Sequence, residues 1–254
     1  PRAGTAALVD GRVHLDLEAH GTMRDAPLSG TVKGADLRID AAQFGLHLKN
    51  GRVDAHLANR RVTLDELAFS AGDGTFRATG TLAAATESAD TAAANVKWHA
   101  EKFRVFNRPD FNLVVSGDGA LALVKGKVSL TGSLRADEGR FINQFDPSAT
   151  LGDDVVVKGW PPREPDPLRT TDIPLALDIN LDFGDRLTFV GRGLDTGLRG
   201  EVRVRTGAGG FTGKGLLYTV NGTYFAYGQR LSIDPGRLIF DGPLDNPALD
   251  IVAL

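Results

Sequence analysis

No cysteine occurs in the 254 residues, which excludes disulfides and thiolate metal sites. Aromatic residues make up 7% of the chain, and charge is close to balanced, with 29 Lys and Arg against 32 Asp and Glu. The two signs interleave, so neither a basic stripe for nucleic acid nor a strong field toward an anionic membrane face is present, and no nucleic-acid partner is expected. No apolar run approaches the ~18 residues that a membrane-spanning helix needs. The chain opens on Pro1 without a signal peptide and reads as a fragment of a longer protein.

Catalytic groupings are equally scarce. The histidines are His14, His20, His47, His56 and His99, and no two stand at the i, i+4 spacing of a helical zinc site. His14, His47 and His56 each lie between apolar neighbours, which puts them on the wet face of a strand. There is no G-x-S-x-G elbow. Gly191-Arg192-Gly193 has no third glycine at dinucleotide spacing and reads as a turn or bulge. Asp153-Asp154 and the Gly-Asp-Gly triplets at Gly72 and Gly117 bring too few oxygens together for calcium and read as turns. No enzymatic activity, metal or cofactor is expected.

What the chain does have is a period of two. Leu175, Leu177, Ile179, Leu181 and Phe183 alternate without exception with Ala176, Asp178, Asn180 and Asp182. The same alternation runs through Val13 to Leu17, Val53 to Leu57, Val96 to Trp98 and Val202 to Val204. Such runs predict on the order of eighteen strands, each with one wet face. Asp10-Gly11, Asn50-Gly51, Asp73-Gly74, Asp118-Gly119, Asn221-Gly222 and Asp241-Gly242 read as tight turns, as does Pro235-Gly236. No segment has helical periodicity; alanine-rich Ala83 to Ala94 reads as a loop. The fold expected is all-β, a long antiparallel meander. A closed β-sandwich or barrel is the commoner fate of alternating strands and stays open as the alternative.

One stretch departs from this texture. Ser148 to Asp172 holds Pro161, Pro162, Pro165 and Pro167 and reads as an exposed loop or linker, because proline removes ladder donors. It divides the chain into residues 1–147, a Pro-rich segment 148–172 and residues 173–254, or else interrupts one continuous domain 1–254.

The last forty residues, GLLYTVNGTYFAYGQRLSIDPGRLIFDGPLDNPALDIVAL, carry a specific order: Y-G-Q, L-x-I, G-x-L-x-F, G-P, D-N-P and L-D-I. In this order the chain resembles the C-terminal domain of the TamB family. A looser resemblance runs through Leu181 to Val204 and Phe106 to Leu121. Members of that family are AsmA-like bridge proteins, anchored in the inner membrane, that cross the bacterial periplasm and work with an outer-membrane barrel, TamA. The resemblance implies a U-shaped, groove-lined sheet (β-taco-like) that carries phospholipid toward the outer membrane. It also implies a Gram-negative periplasmic location and a membrane anchor upstream of Pro1, and the family pattern normally continues past Leu254.

If the groove is open, its lining is expected on the clearest apolar phases: Val96, Trp98, Leu113, Val115, Leu121, Leu123, Leu175, Leu177, Ile179, Leu181, Phe183, Leu187 and Phe189. A carboxylate at Ile179 is then expected to weaken lipid binding and leave the β structure intact. The alternative role is a docking or chaperone module whose sheet edge pairs with a TamA-type barrel. Candidates for that edge are Tyr218, Tyr224, Tyr227, Leu231, Ile233, Leu238, Ile239, Phe240, Leu249 and Ile251, in a segment without a lysine after Lys214.

Overall fold

The structure, a computed structural model, describes residues 7–19, 28–58, 60–83, 92–143, 175–207, 209–226 and 228–253. The Pro-rich segment 148–172, Tyr227 and most of the alanine-rich stretch after Ala83 lie outside them. Fourteen strands form one sheet. They are β1 (Leu8–Ala19), β2 (Leu28–Ala41), β3 (Leu46–Ala58), β4 (Arg61–Ala71), β5 (Gly74–Ala83), β6 (Ala93–Asn107) and β7 (Phe111–Val124). There follow β8 (Lys127–Asn143), β9 (Leu175–Asp182), β10 (Leu187–Gly191), β11 (Leu194–Gly207), β12 (Gly210–Ala226), β13 (Gln229–Pro243) and β14 (Ala248–Ala253). A single 3-10 turn, Ala42–Phe44, sits between β2 and β3.

Neighbouring strands follow chain order and run antiparallel, except around β8. There β9 pairs with the first half of β8 and β10 with the second half, both in parallel. On their other side both pieces pair antiparallel with β11. They thus share one position in the sheet, broken at residues 183–186, where Gly184 has φ 58° and its N–H donates to Asp182 Oδ1 at 2.8 Å. The sheet is therefore mixed. A two-residue turn cannot join parallel strands, and β9 starts beside the start of β8, with Leu175 opposite Val128. Because β8 pairs with β9 and β10, cleavage between residues 148 and 172, where the prolines predict the first protease cut, should leave the two parts associated. Gel filtration of the nicked protein without denaturant tests this, and separated fragments would establish two domains.

The strands are fewer and longer than the turn signals predict. Of the six Asx-Gly pairs, Asp73-Gly74 alone joins two strands; the others lie inside β1, β3, β7, β12 and β13, as does Pro235-Gly236 inside β13. The reason is that a positive φ serves a bulge as well as a turn. Asn50 (φ 53°) and Asn221 (φ 52°) sit where the register shifts between β3 and β4 and between β11 and β12. Among the described residues, the two-residue hairpins with positive φ at both positions are Lys125-Gly126 and Arg192-Gly193. The latter confirms the turn expected at Gly191 to Gly193.

Cross-strand register sorts the side chains. One row reads Val13, Gly34, Val53, Leu67, Ala78, Trp98, Gly119, Gly132, Ile179, Val204, Gly213 and Gly242, twelve strands without a polar side chain. At ~4.8 Å per strand it crosses roughly 50 Å. On the opposite face a row reads Arg77, His99, Asp118, Ser133, Asn180, Arg203, Lys214 and Asp241. The sheet thus has one apolar and one polar face along its whole length. It does not close, because β1 and β14 lie at opposite ends of the strand order. The closed barrel and the two-sheet sandwich are both set aside.

The sheet curls toward its apolar side. Register shifts recur in the strands, at Gly34/Leu37 in β2, Leu64/Leu67 in β4, Ala100/Phe103 in β6 and Val220/Thr223 in β12. Each bends its strand. Across the short β4–β5 hairpin, Arg108 Nη1 of the β6–β7 turn donates to Gln43 O of the β2–β3 turn at 3.1 Å. The best-buried strip lies at Val202, Val204 and Leu217, against Leu177, Leu181, Phe183, Leu238 and Phe240.

Candidate functional site

The apolar face is the feature with the largest chemical content. It holds a concavity of about 460 Å³ between β7 and β11, over the break that separates β9 from β10. Leu113 and Val115 line it from β7, Leu134 and Ala136 from β8, Leu181 and Phe183 from β9 and the break, Leu187 and Phe189 from β10, and Leu198 from β11. Phe111 and Phe141 close the end nearest the β6–β7 and β10–β11 turns. Elsewhere the face is paved by large side chains lying over glycines: a Cβ at Gly119 would meet the Trp98 ring, and one at Gly51 the Phe69 ring. These contacts cover backbone that would otherwise be bare.

All thirteen groove candidates lie on this face. Val96 pairs with Leu121, and Leu130 links Leu121 to Leu177; Val128 likewise links Leu123 to Leu175. Six of them, Leu113, Val115, Leu181, Phe183, Leu187 and Phe189, gather at the concavity, whereas Leu121, Leu123, Leu175 and Leu177 lie toward the opposite rim. Ile179 is 8% exposed and faces Val204, so it belongs to the packed strip. Phe106, Phe111, Leu134, Ala136, Phe141 and Leu198 were not among the candidates. The alternation of Phe111, Leu113 and Val115 is a readable signal for Phe111. Phe141 was hidden by a shift in β8, where Ala136 and Gly139 both face inward and Asp137 is the extra residue.

The edge candidates fare differently. Tyr218 and Tyr224 belong to β12, and Leu231, Ile233, Leu238, Ile239 and Phe240 to β13, and both strands are paired on two sides. Only Leu249 and Ile251 lie on the edge strand, β14, and Tyr227 is outside the described residues. Nearness to the C-terminus is not nearness to an edge: in this strand order only β1 and β14 are outermost, and β12 and β13 are covered. Leu249, Ile251 and Val252 are 65%, 46% and 55% exposed.

The polar face is held by cross-strand ion pairs. Asp178 accepts from Arg203 Nε and Nη2 at 2.6 and 2.8 Å and from Arg205 Nε at 3.3 Å. The Arg203 hydrogen bonds, followed by those of Arg205, hold the Asp178 carboxyl at about 2. Asp178 therefore contributes stability that is present above its unfolded value near ~4 and is lost as pH falls through about 2. Stability measured across that window should fall more steeply in the parent chain than in Asp178→Asn. The effect is small, since the pair is solvated. His47, His56 and His99 each lie 2.7 Å from a cross-strand carboxylate, of Asp40, Asp65 and Asp118, on this face. No group of three or more metal-ligating side chains occurs among the described residues.

An all-β sheet with one continuous apolar face agrees with what the C-terminal motif implies. The sequence model of the TamB C-terminal domain matches residues 65–254. The chain belongs to the TamB family. Membership places it in the translocation and assembly module of the cell envelope, a system in which TamB works with a TamA-type partner. The match begins inside β4, so β1 to β3 extend the same sheet ahead of the matched region.

Proposed function

We propose that the chain shields phospholipid acyl chains in its apolar groove during their passage between the inner and outer membranes, without a catalytic step. The observation that carries this reading is the twelve-strand row free of polar side chains on a sheet that stays open. An open apolar face is costly in water, at ~25 cal/mol per Å². An acyl chain of about sixteen methylenes, at ~0.8 kcal/mol each, offers on the order of 13 kcal/mol in return. Groove and lipid thus relieve each other of water, while the charged face stays in the periplasm. The reading includes an anchor in the inner membrane of a Gram-negative cell, supplied upstream of this sequence.

Native mass spectrometry of the purified chain tests it. Co-purifying phospholipid is expected, and Leu121→Asp with Leu123→Asp should reduce it several-fold with the β-type circular dichroism unchanged. A chain that emerges free of lipid from cells, and takes up none from vesicles, sinks the reading. A second reading rests on β14, whose apolar side chains are exposed and whose outer ladder is unpaired among the described residues. We assign it as the strand that pairs with a TamA-type barrel, main chain to main chain.

A further inference from the structure

Two turns that would lie far apart in a flat sheet touch each other. The β2–β3 and β6–β7 turns are separated by β4 and β5, so β3 and β6 stand three positions apart, or about 14 Å at ~4.8 Å per strand. Yet a Cβ at Gly45 would come within 2.3 Å of Asn107 O and 3.1 Å of Arg108 Cγ. Glycine is required there twice over, since Gly45 also has φ 61°. Arg108 completes the contact. Its Nε and Nη2 donate to Asp110 at 2.9 and 2.7 Å and its Nη1 to Gln43 O at 3.1 Å, so Asp110 aims the guanidinium across the gap.

The strands are shaped for this approach. β4 ends at Ala71 and β5 begins at Gly74, whereas β3 and β6 run on past the tip of that hairpin. Register shifts fall close to the tip on both sides, at Lys49/Arg52 in β3 and Ala100/Phe103 in β6, and each bends its strand. The tip itself lies against β6, where a Cβ at Gly72 would stand 3.2 Å from Arg104 Nε. On the apolar face, the side chains at this end of the spanned strands are dry: Phe69 is 8% exposed, and Ala71 and Ala100 are each 2% exposed. Val13 and Leu15 on β1, away from the contact, are exposed.

We infer that the two turns form a clasp that holds the groove closed at this rim over β4 and β5, and that its release admits acyl chains to the face between β3 and β6. The inference rests on the lipid reading above and adds a gate to it. The bonds between the turns lie at the surface, with the Arg108 side chain 45% exposed, so they part without breaking a strand ladder. The turns move apart with their own hairpins intact, because β2–β3 and β6–β7 are each paired along their length.

The absence of cysteine makes the clasp directly testable. Gln43→Cys with Pro109→Cys places one thiol on each turn and leaves the main-chain oxygen at position 43 as acceptor. Spin labels on this pair should show strong dipolar broadening, and adding Arg108→Ala should remove much of it. Uptake of a fluorescent phospholipid from vesicles of phosphatidylethanolamine and phosphatidylglycerol gives the functional readout. Arg108→Ala should speed uptake several-fold. Joining the two thiols with a short bismaleimide should slow it several-fold relative to Gln43→Cys alone treated in the same way. The cross-linked chain keeps Arg108, so this arm does not depend on how well the sheet tolerates Arg108→Ala. Broadening that survives Arg108→Ala would overturn the clasp. Broadening lost with uptake unchanged, or equal uptake in the free and cross-linked chains, would overturn the gate while leaving the groove. A parent chain that takes up no phospholipid would reject the groove reading and the gate with it.

Discussion

Ile179→Asp is expected to unfold a large part of the sheet. Ile179 is 8% exposed, stands between Gly132 and Val204 in the ladder, and adjoins the strip formed by Val202, Val204 and Leu217. A carboxylate there has no cation on its own face, because Arg203 and Arg205 project from the other side of β11 toward Asp178. Burying an unpaired charge costs several kcal/mol, a large share of the ~5–15 kcal/mol that holds a domain together. Leu15→Asp is the control. It is on the same face but 57% exposed, and should change stability by less than about 1 kcal/mol. Thermal unfolding followed by circular dichroism separates them, and equal melting curves would mean that the strip is wet. This reverses what alternation alone leads one to expect at Ile179, a groove position tolerant of charge. The sheet is open, yet the side chains of the adjacent strands β9, β11, β12 and β13 pack over one another on this part of the face.

Removing residues 215–254 is expected to dismantle the C-terminal half, and removing 248–254 is not. The longer deletion takes most of β12 with all of β13 and β14, and strips Leu217, Leu238 and Phe240 from Val202 and Val204. Losing one buried leucine to alanine already costs ~2–5 kcal/mol, and here several go together. It would also bare β11 as a long apolar edge prone to aggregation. The shorter deletion removes only β14, whose Leu249 and Ile251 are exposed. That truncated chain should keep its melting curve and its lipid. It should lose capture of a TamA-type barrel in a pull-down beside the full chain, and equal capture would rule β14 out as the docking strand. A proline at Ile239 is no substitute, since β13 is paired with β12 and β14 and the change would injure the sheet itself.

Alternation in Leu175 to Phe183 and its counterparts was enough to assign all-β structure and to place all thirteen groove candidates on one face. The reason is local: successive side chains on a strand point to opposite sides, so phase is written residue by residue. The closing motif from Tyr227 to Ile251 was enough to reach the family. The tertiary structure decided the rest. Asn-Gly at Asn221 could not be told from a hairpin by sequence, because turn and bulge demand the same positive φ. The parallel pairing of β8 with β9 and β10 joins residues on either side of the Pro-rich segment and has no local signal. Whether the apolar face closes into a core or stays a groove depends on β1 and β14 failing to meet, and which strands are edges depends on pairing. Both are relations between residues far apart in the chain, settled by the curl of the whole sheet and by no single strand's pattern.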